Sequence, residues 1–179
     1  MYKRQNQYNI KKIVTICPHC FNTIRNEYPQ FGGDYEVLHY SQFVDALINK
    51  GDIKPIKMID ATVAYHDSCY LGRHNGVYDE PRNVARSIPG LKLVEIGSRC
   101  RERGFCCGAG GGHMWIEESQ GDRINHVRTD QFLETEADTV GVSCPFCLQM
   151  LTEGIQSKGQ ADSKQSKDVL ELLADSLGD

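Results

Sequence analysis

The apolar residues of this chain fall into short, β-branched runs separated by longer amphipathic stretches. The runs at Lys12–Ile16, Tyr35–Tyr40, Thr62–His66, Leu91–Ile96 and Thr139–Ser143 predict strands. Stretches with apolar residues three or four apart predict helices over Ser41–Lys50, Glu80–Ser87, a long segment from about Trp115 to Thr135, Pro145–Ile155 and Asp168–Leu177. Between the last two helices, Ser157–Lys167 is rich in Gly, Ser, Gln and Lys and predicts a flexible loop. Strands alternating with helices predict an α/β fold with a mainly parallel sheet flanked by helices.

Two stretches repeat one pattern. Lys12-Ile-Val-Thr-Ile-Cys17-Pro-His-Cys20-Phe and Thr139-Val-Gly-Val-Ser-Cys144-Pro-Phe-Cys147-Leu each run from a β-branched segment through Cys-Pro-x-Cys into a helical pattern. Proline suits the first turn of such a helix, where no backbone N–H is needed. A pattern recurring at long range predicts an internal repeat.

Composition narrows the function classes. The formal net charge is −4 with both signs interspersed, which gives no reason to expect nucleic acid as a partner. No apolar run approaches the ~20 residues that span a bilayer, and the first residues do not resemble a secretory leader. A reducing compartment is therefore expected, where the eight cysteines of this 179-residue chain serve metal binding or redox chemistry rather than disulfides.

Their spacing is specific. Cys69 is followed after 36 residues by Cys106-Cys107-Gly108, and Cys107 after another 36 by Cys144-Pro-Phe-Cys147. Each cysteine follows a predicted strand or precedes a predicted helix, and strand ends of a parallel sheet share one edge. The five thiols are thus expected to converge as soft ligands for an iron–sulfur cluster. Gly108, Gly110, Gly111 and Gly112 let the backbone approach it. A four-ligand zinc site is the competing reading, and the adjacent Cys-Cys pair fits it poorly.

This arrangement resembles the cysteine-rich domain named for its Cys-Cys-Gly, found in heterodisulfide reductase B-type subunits and in iron–sulfur subunits of glycolate, lactate and anaerobic glycerol-3-phosphate oxidoreductases. The match covers about Ala61 to Gly154, with the tail of an earlier copy at Lys12–Gln30. The wording Cys17-Pro-His-Cys20-Phe-Asn-Thr-Ile and Tyr65-His-Asp-Ser-Cys69-Tyr-Leu-Gly-Arg is similar to membrane-linked iron–sulfur oxidoreductases associated with electron-transfer flavoproteins. The resemblance implies Cys69, Cys106, Cys107, Cys144 and Cys147 as ligands of a [4Fe-4S] cluster, of the noncubane kind in the heterodisulfide reductases. Ser68 stands where many relatives are expected to carry proline.

The expected organisation is a C-terminal remnant of a first repeat at 1–55 and a complete second repeat at 56–179. Cys17 and Cys20 are then partial ligands of an incomplete second site, because no earlier cysteines precede them. The implied function is electron transfer between a flavoprotein and a quinone or other acceptor, with upstream sequence or a partner subunit completing the unit at the inner face of the cell membrane. The alternatives are thiol–disulfide chemistry at the cluster and a zinc-stabilised interaction module. No residue is singled out as catalytic. His66 and Asp67 are read as hydrogen-bonding support for the site, with proton delivery by His66 as the sharper alternative. Cys100 is read as a free thiol, and His113 and Trp115 as packing residues. Arg73, Arg99, Arg101 and Arg103 are read as either solvated or screening an anionic cluster.

Overall fold

The computed structural model describes residues 2–116 and 121–178. A short helix, α1 (Tyr2–Gln7), precedes strand β1 (Lys12–Thr15) and helix α2 (Pro18–Asn22), which runs on through a π and a 3-10 turn to Phe31. Strand β2 (Glu36–His39) and helix α3 (Tyr40–Lys50) follow. Next come β3 (Thr62–Tyr65), α4 (Asp79–Arg86) and β4 (Lys92–Glu95). The chain ends with α5 (Ile124–Leu133), β5 (Thr139–Val142), α6 (Pro145–Ser157), β6 (Gln165–Asp168) and α7 (Val169–Ser176). All strand pairings are parallel, in a two-stranded sheet β1-β2 and a four-stranded sheet ordered β4-β3-β5-β6.

The alternation of side chains along β3 builds a three-layer core. Val63 and Tyr65 face one way and pack with Tyr40 and Val44 of α3, Val84 and Ala85 of α4, and Val169, Leu172 and Leu173 of α7. Ala64 faces the other way, with Val140 and Val142 of β5, Phe132 of α5 and Met150, Leu151 and Ile155 of α6. Where α5 crosses α6, a Cβ on Gly154 would collide with Thr129, so glycine sets that approach. A third cluster joins Phe21, Ile24 and Val37 to Leu71 and Val77, so the first 55 residues share two cores with the rest.

Two expectations are corrected. The segment from 157 to 167 is not wholly a loop: Gln165–Asp168 is strand β6, paired with β5 from Thr139↔Gln165 to Val142↔Asp168. It is polar because it is an edge strand, so no apolar alternation marked it. The helix expected from Trp115 to Thr135 is α-helical only at Ile124–Leu133; a 3-10 turn occupies Gly110–Trp115, and 117–120 lie outside the described residues. Left-handed Gly111 and Gly112, at φ 65° and 80°, break any helix there.

The repeat reaches beyond the cysteines. β1–α2–β2–α3 and β5–α6–β6–α7 are each a strand, a Cys-Pro-x-Cys turn, a helix, a parallel partner strand and a helix with a capping box. His39 and Gln42 form the box of α3, and Asp168 and Glu171 that of α7. No helix among the described residues is long and apolar enough to cross a membrane.

Candidate metal centre

The strand order reverses between β3 and β5, whose carboxyl ends lie side by side; this is where open α/β sheets bind ligands. Cys69 follows β3 in a tight turn closed by the Leu71 and Gly72 amides donating to the Ser68 carbonyl. Cys144 follows β5 and caps α6, with Pro145 as its first residue and the Leu148 amide donating to the Cys144 carbonyl. Cys147 lies on the first turn of α6. Cys106 and Cys107 come from the loop after β4. Left-handed Gly108, φ 89°, turns its amide back to donate to the Cys106 sulfur at 3.3 Å.

The five thiols form one continuous series. The sulfurs of Cys107 and Cys147 are 3.4 Å apart. Cys106 interacts with Cys107 and Cys69, and Cys147 with Cys144. Hydrogen bonding from Cys107 and then Cys69 draws the Cys106 thiol far below its usual range, while Cys106 pushes Cys107 up to about 12. Cys147, backed by His19, pulls Cys144 down to about 5. Within the series the thiols of Cys106 and Cys144 are thus lowered by their neighbours, toward the thiolate form that binds metal.

A buried hub fixes the loops that carry these cysteines. Arg82 of α4, 0% exposed, donates to both oxygens of Asp67 at 2.7 and 2.8 Å and to both of Glu95 at 2.8 Å. Asp67 also accepts from the Arg101 amide at 2.7 Å. Asp67 precedes Cys69, Glu95 ends β4, and Arg101 begins the turn before Cys106. One guanidinium therefore ties both cysteine loops to the sheet.

His66 lies on the opposite side of the same strand end. One of its ring nitrogens lies within 4.8 Å of the Cys107 and Cys147 sulfurs. Its Nδ1 accepts from Arg128 Nε at 3.0 Å, while Nε2 is buried without a hydrogen-bond partner. Burial, then the Arg128 cation, pushes this imidazole down to about 3, so it is neutral.

The remaining expected residues are placed as follows. Cys17 and Cys20 neighbour each other after β1, and His19 between them interacts with Cys144 as well as Cys17, its Nδ1 lying 3.9 Å from the Cys17 sulfur. Both thiolates raise His19 to about 9, Cys144 the more strongly. Cys100 stays outside the series, facing Glu95 and Asp67. Arg101 pairs with Asp79 at 2.7 Å. Arg73 donates to the Gly104 carbonyl at 2.6 Å and, with Arg99 and Arg103, lines an open cavity of about 600 Å³ that reaches Cys106. Trp115 is exposed and does not pack as expected.

Sequence reasoning missed three residues: His19, Arg82 and Arg128. His19 was hidden as the variable position of Cys-Pro-x-Cys. Arg128 sits on the buried stripe Asn125, Arg128, Thr129 and Phe132 of α5, whose polar members carry no mark of burial in the sequence. The donor set fits an iron–sulfur group: five soft thiols meet at one strand edge, and no carboxylate belongs to the series.

Comparison with known proteins gives the family. The chain is 46% identical over 175 residues to the EtfAB:quinone oxidoreductase of Syntrophomonas wolfei, covering 94% of this chain and 24% of that protein. It is 48% identical over 169 residues to the "Probable iron-sulfur-binding oxidoreductase FadF" of Bacillus subtilis, covering 94% and 24%. It is 39% identical over 170 residues to one of the subunits of the dihydromethanophenazine:CoB–CoM heterodisulfide reductase of Methanosarcina acetivorans, covering 93% and 41%. The chain thus spans a quarter to two fifths of these relatives' lengths. A family model described as the cysteine-rich domain matches residues 63–152, which contain β3 through most of α6 and all five thiols of the series. The chain belongs to the CCG cysteine-rich domain family.

Proposed function

We propose that this chain is the cluster-bearing part of an iron–sulfur electron-transfer oxidoreductase, with Cys69, Cys106, Cys107, Cys144 and Cys147 holding one [4Fe-4S] cluster. The observation that carries this is the unbroken series of five thiols at the switch point of a parallel sheet. When bound, the cluster supplies one-electron transfer. The protein's own residues hold and insulate it. Cys107, Cys144 and Cys147 sit at 5%, 0% and 2% exposure, which keeps water from that side, whereas Cys69 and Cys106 are half-buried and Cys106 lines the open cavity. The Arg82 hub fixes the spacing of the ligand loops.

The likeness to an EtfAB:quinone oxidoreductase supports a flavoprotein donor and a quinone acceptor for the whole protein, with the membrane reached through other sequence or a partner. We read residues 1–55 as the end of a preceding repeat and 56–179 as a complete one. The matching strand–turn–helix–strand–helix units support this, and Cys17 and Cys20 are then ligands of a second site completed elsewhere.

Anaerobic purification with iron, sulfide and zinc analysis tests the reading. The expected result is about four iron per chain with broad visible absorbance. Stoichiometric zinc without iron or sulfide overturns it.

A further inference from the structure

Arg128 is 0% exposed and, among the described residues, has no carboxylate partner. Its guanidinium donates to three neutral acceptors: His66 Nδ1 at 3.0 Å, the Arg99 carbonyl at 3.1 Å and Gln131 Oε1 at 2.8 Å. Its remaining nitrogen, Nη2, is buried and unbonded. A buried charge is retained in a fold only where an opposite charge compensates it. Asp67, a carboxylate whose field reaches Arg128, is already held on both oxygens by Arg82. The other groups whose field reaches Arg128 are the thiols of Cys100, Cys107 and Cys147.

His66 stands between this cation and the thiols. Because its Nδ1 accepts from the guanidinium, the ring carries its proton on Nε2, and that donor is buried and unused. His66 is 1% exposed and within 4.8 Å of the Cys107 and Cys147 sulfurs. Two adjacent buried groups thus each hold a free donor beside the same two thiols. Neither of these donors is used within the described fold.

We propose that Arg128 is the counter-charge of the bound cluster, and that His66 relays it by donating Nε2–H to a cluster sulfur. Both are positioning residues rather than ligands. The inference rests on the cluster reading above. It adds that the protein holds a fixed, buried positive charge beside Cys107 and Cys147. Reduction adds a negative charge to the cluster, so a buried cation favours the reduced form. Arg128 therefore raises the reduction potential.

The test uses the full chain, anaerobically reconstituted and metal-free, with Arg128→Met and Arg128→Lys. With the cluster bound, Arg128→Met is expected to shift the one-electron equilibrium about tenfold toward the oxidised form, a fall of about 59 mV in an EPR-monitored titration. Arg128→Lys, which keeps the charge, is expected to retain most of the potential. In the metal-free chain Arg128→Met leaves His66 Nδ1, the Arg99 carbonyl and Gln131 Oε1 without their donor, so a lower urea midpoint is expected there and the potential carries the test. An iron-replete Arg128→Met protein with unchanged potential overturns the assignment. A parent chain that binds no iron or sulfide overturns the cluster reading itself, so the two failures are told apart by iron content.

Discussion

At the residue scale the fold uses its buried charges for positioning. Arg82 satisfies four carboxylate oxygens and also stacks over the Tyr65 ring at 4.7 Å. Such a pair adds little net stability over an apolar replacement of both partners, but removing one partner strands a buried charge. Arg82→Met is expected to cost about 3–5 kcal/mol by leaving Asp67 unpaired, read as a fall in the urea midpoint of the metal-free chain. The Arg82 hydrogen bonds hold Glu95 below the usual carboxylate range. A carboxyl depressed in the folded state stabilises above its unfolded value near ~4.3, and that contribution is lost as pH falls through the folded value. In Arg82→Met this part of the acid sensitivity is expected to disappear.

At the element scale, Asp168 joins three pieces. It ends β6, caps α7 by accepting from the Leu170 amide at 2.9 Å, and accepts from the Tyr40 hydroxyl at the start of α3 at 2.5 Å. Asp168→Ala is expected to cost about 1–2 kcal/mol through the lost cap. Burial pushes Asp168 up to about 6, partly offset by Tyr40 and the Leu170 amide; Glu171 and Cys144 add to the rise. A carboxyl raised in the folded state favours folding most below its unfolded value near ~3.9, and that advantage is lost as pH rises through about 6. Asp168→Asn keeps an oxygen for the cap and removes the charge. Its stability relative to the parent is therefore expected to rise between about pH 5 and pH 7, in thermal melts at both. A flat difference would show that the Asp168 charge is not what burial opposes.

The same elements show how far sequence reading reached. The strands around Val63, Val94 and Val140 were legible because a parallel strand covered by helices is a plain β-branched run. β6 was not, because Gln-Ser-Lys-Asp at a sheet edge carries no apolar period; only its position before a capping box, matching β2 before His39, marks it.

At the scale of the whole molecule, the two Cys-Pro-x-Cys turns are neighbours joined by one imidazole. Each of the five downstream thiols touches another member of its own series, whereas Cys17 reaches Cys144 through His19. Replacing Cys17 and Cys20 together by Ser is accordingly expected to leave the iron content of the reconstituted chain unchanged. Loss of iron in that variant would show that the two turns share one site. The outer strand β1 also leaves Val14 and Ile16 exposed, at 43% and 60%, beside an edge with no further strand among the described residues.

The sequence by itself determined the α/β class, the five cysteines that meet, and the existence of a repeat, because each is written in local spacing: the strand period, a turn with proline at a helix start, and intervals between thiols. Tertiary structure alone decided which charges stand behind the site. Arg82 and Arg128 look in sequence like any solvated helix arginine, yet both are wholly buried, one between two carboxylates and the other with none. Burial and pairing depend on which elements pack together, and residues far apart in the chain, such as Asp67, Glu95 and Arg101 or His66 and Arg128, acquire their electrostatic roles only when the sheet brings their ends to one edge.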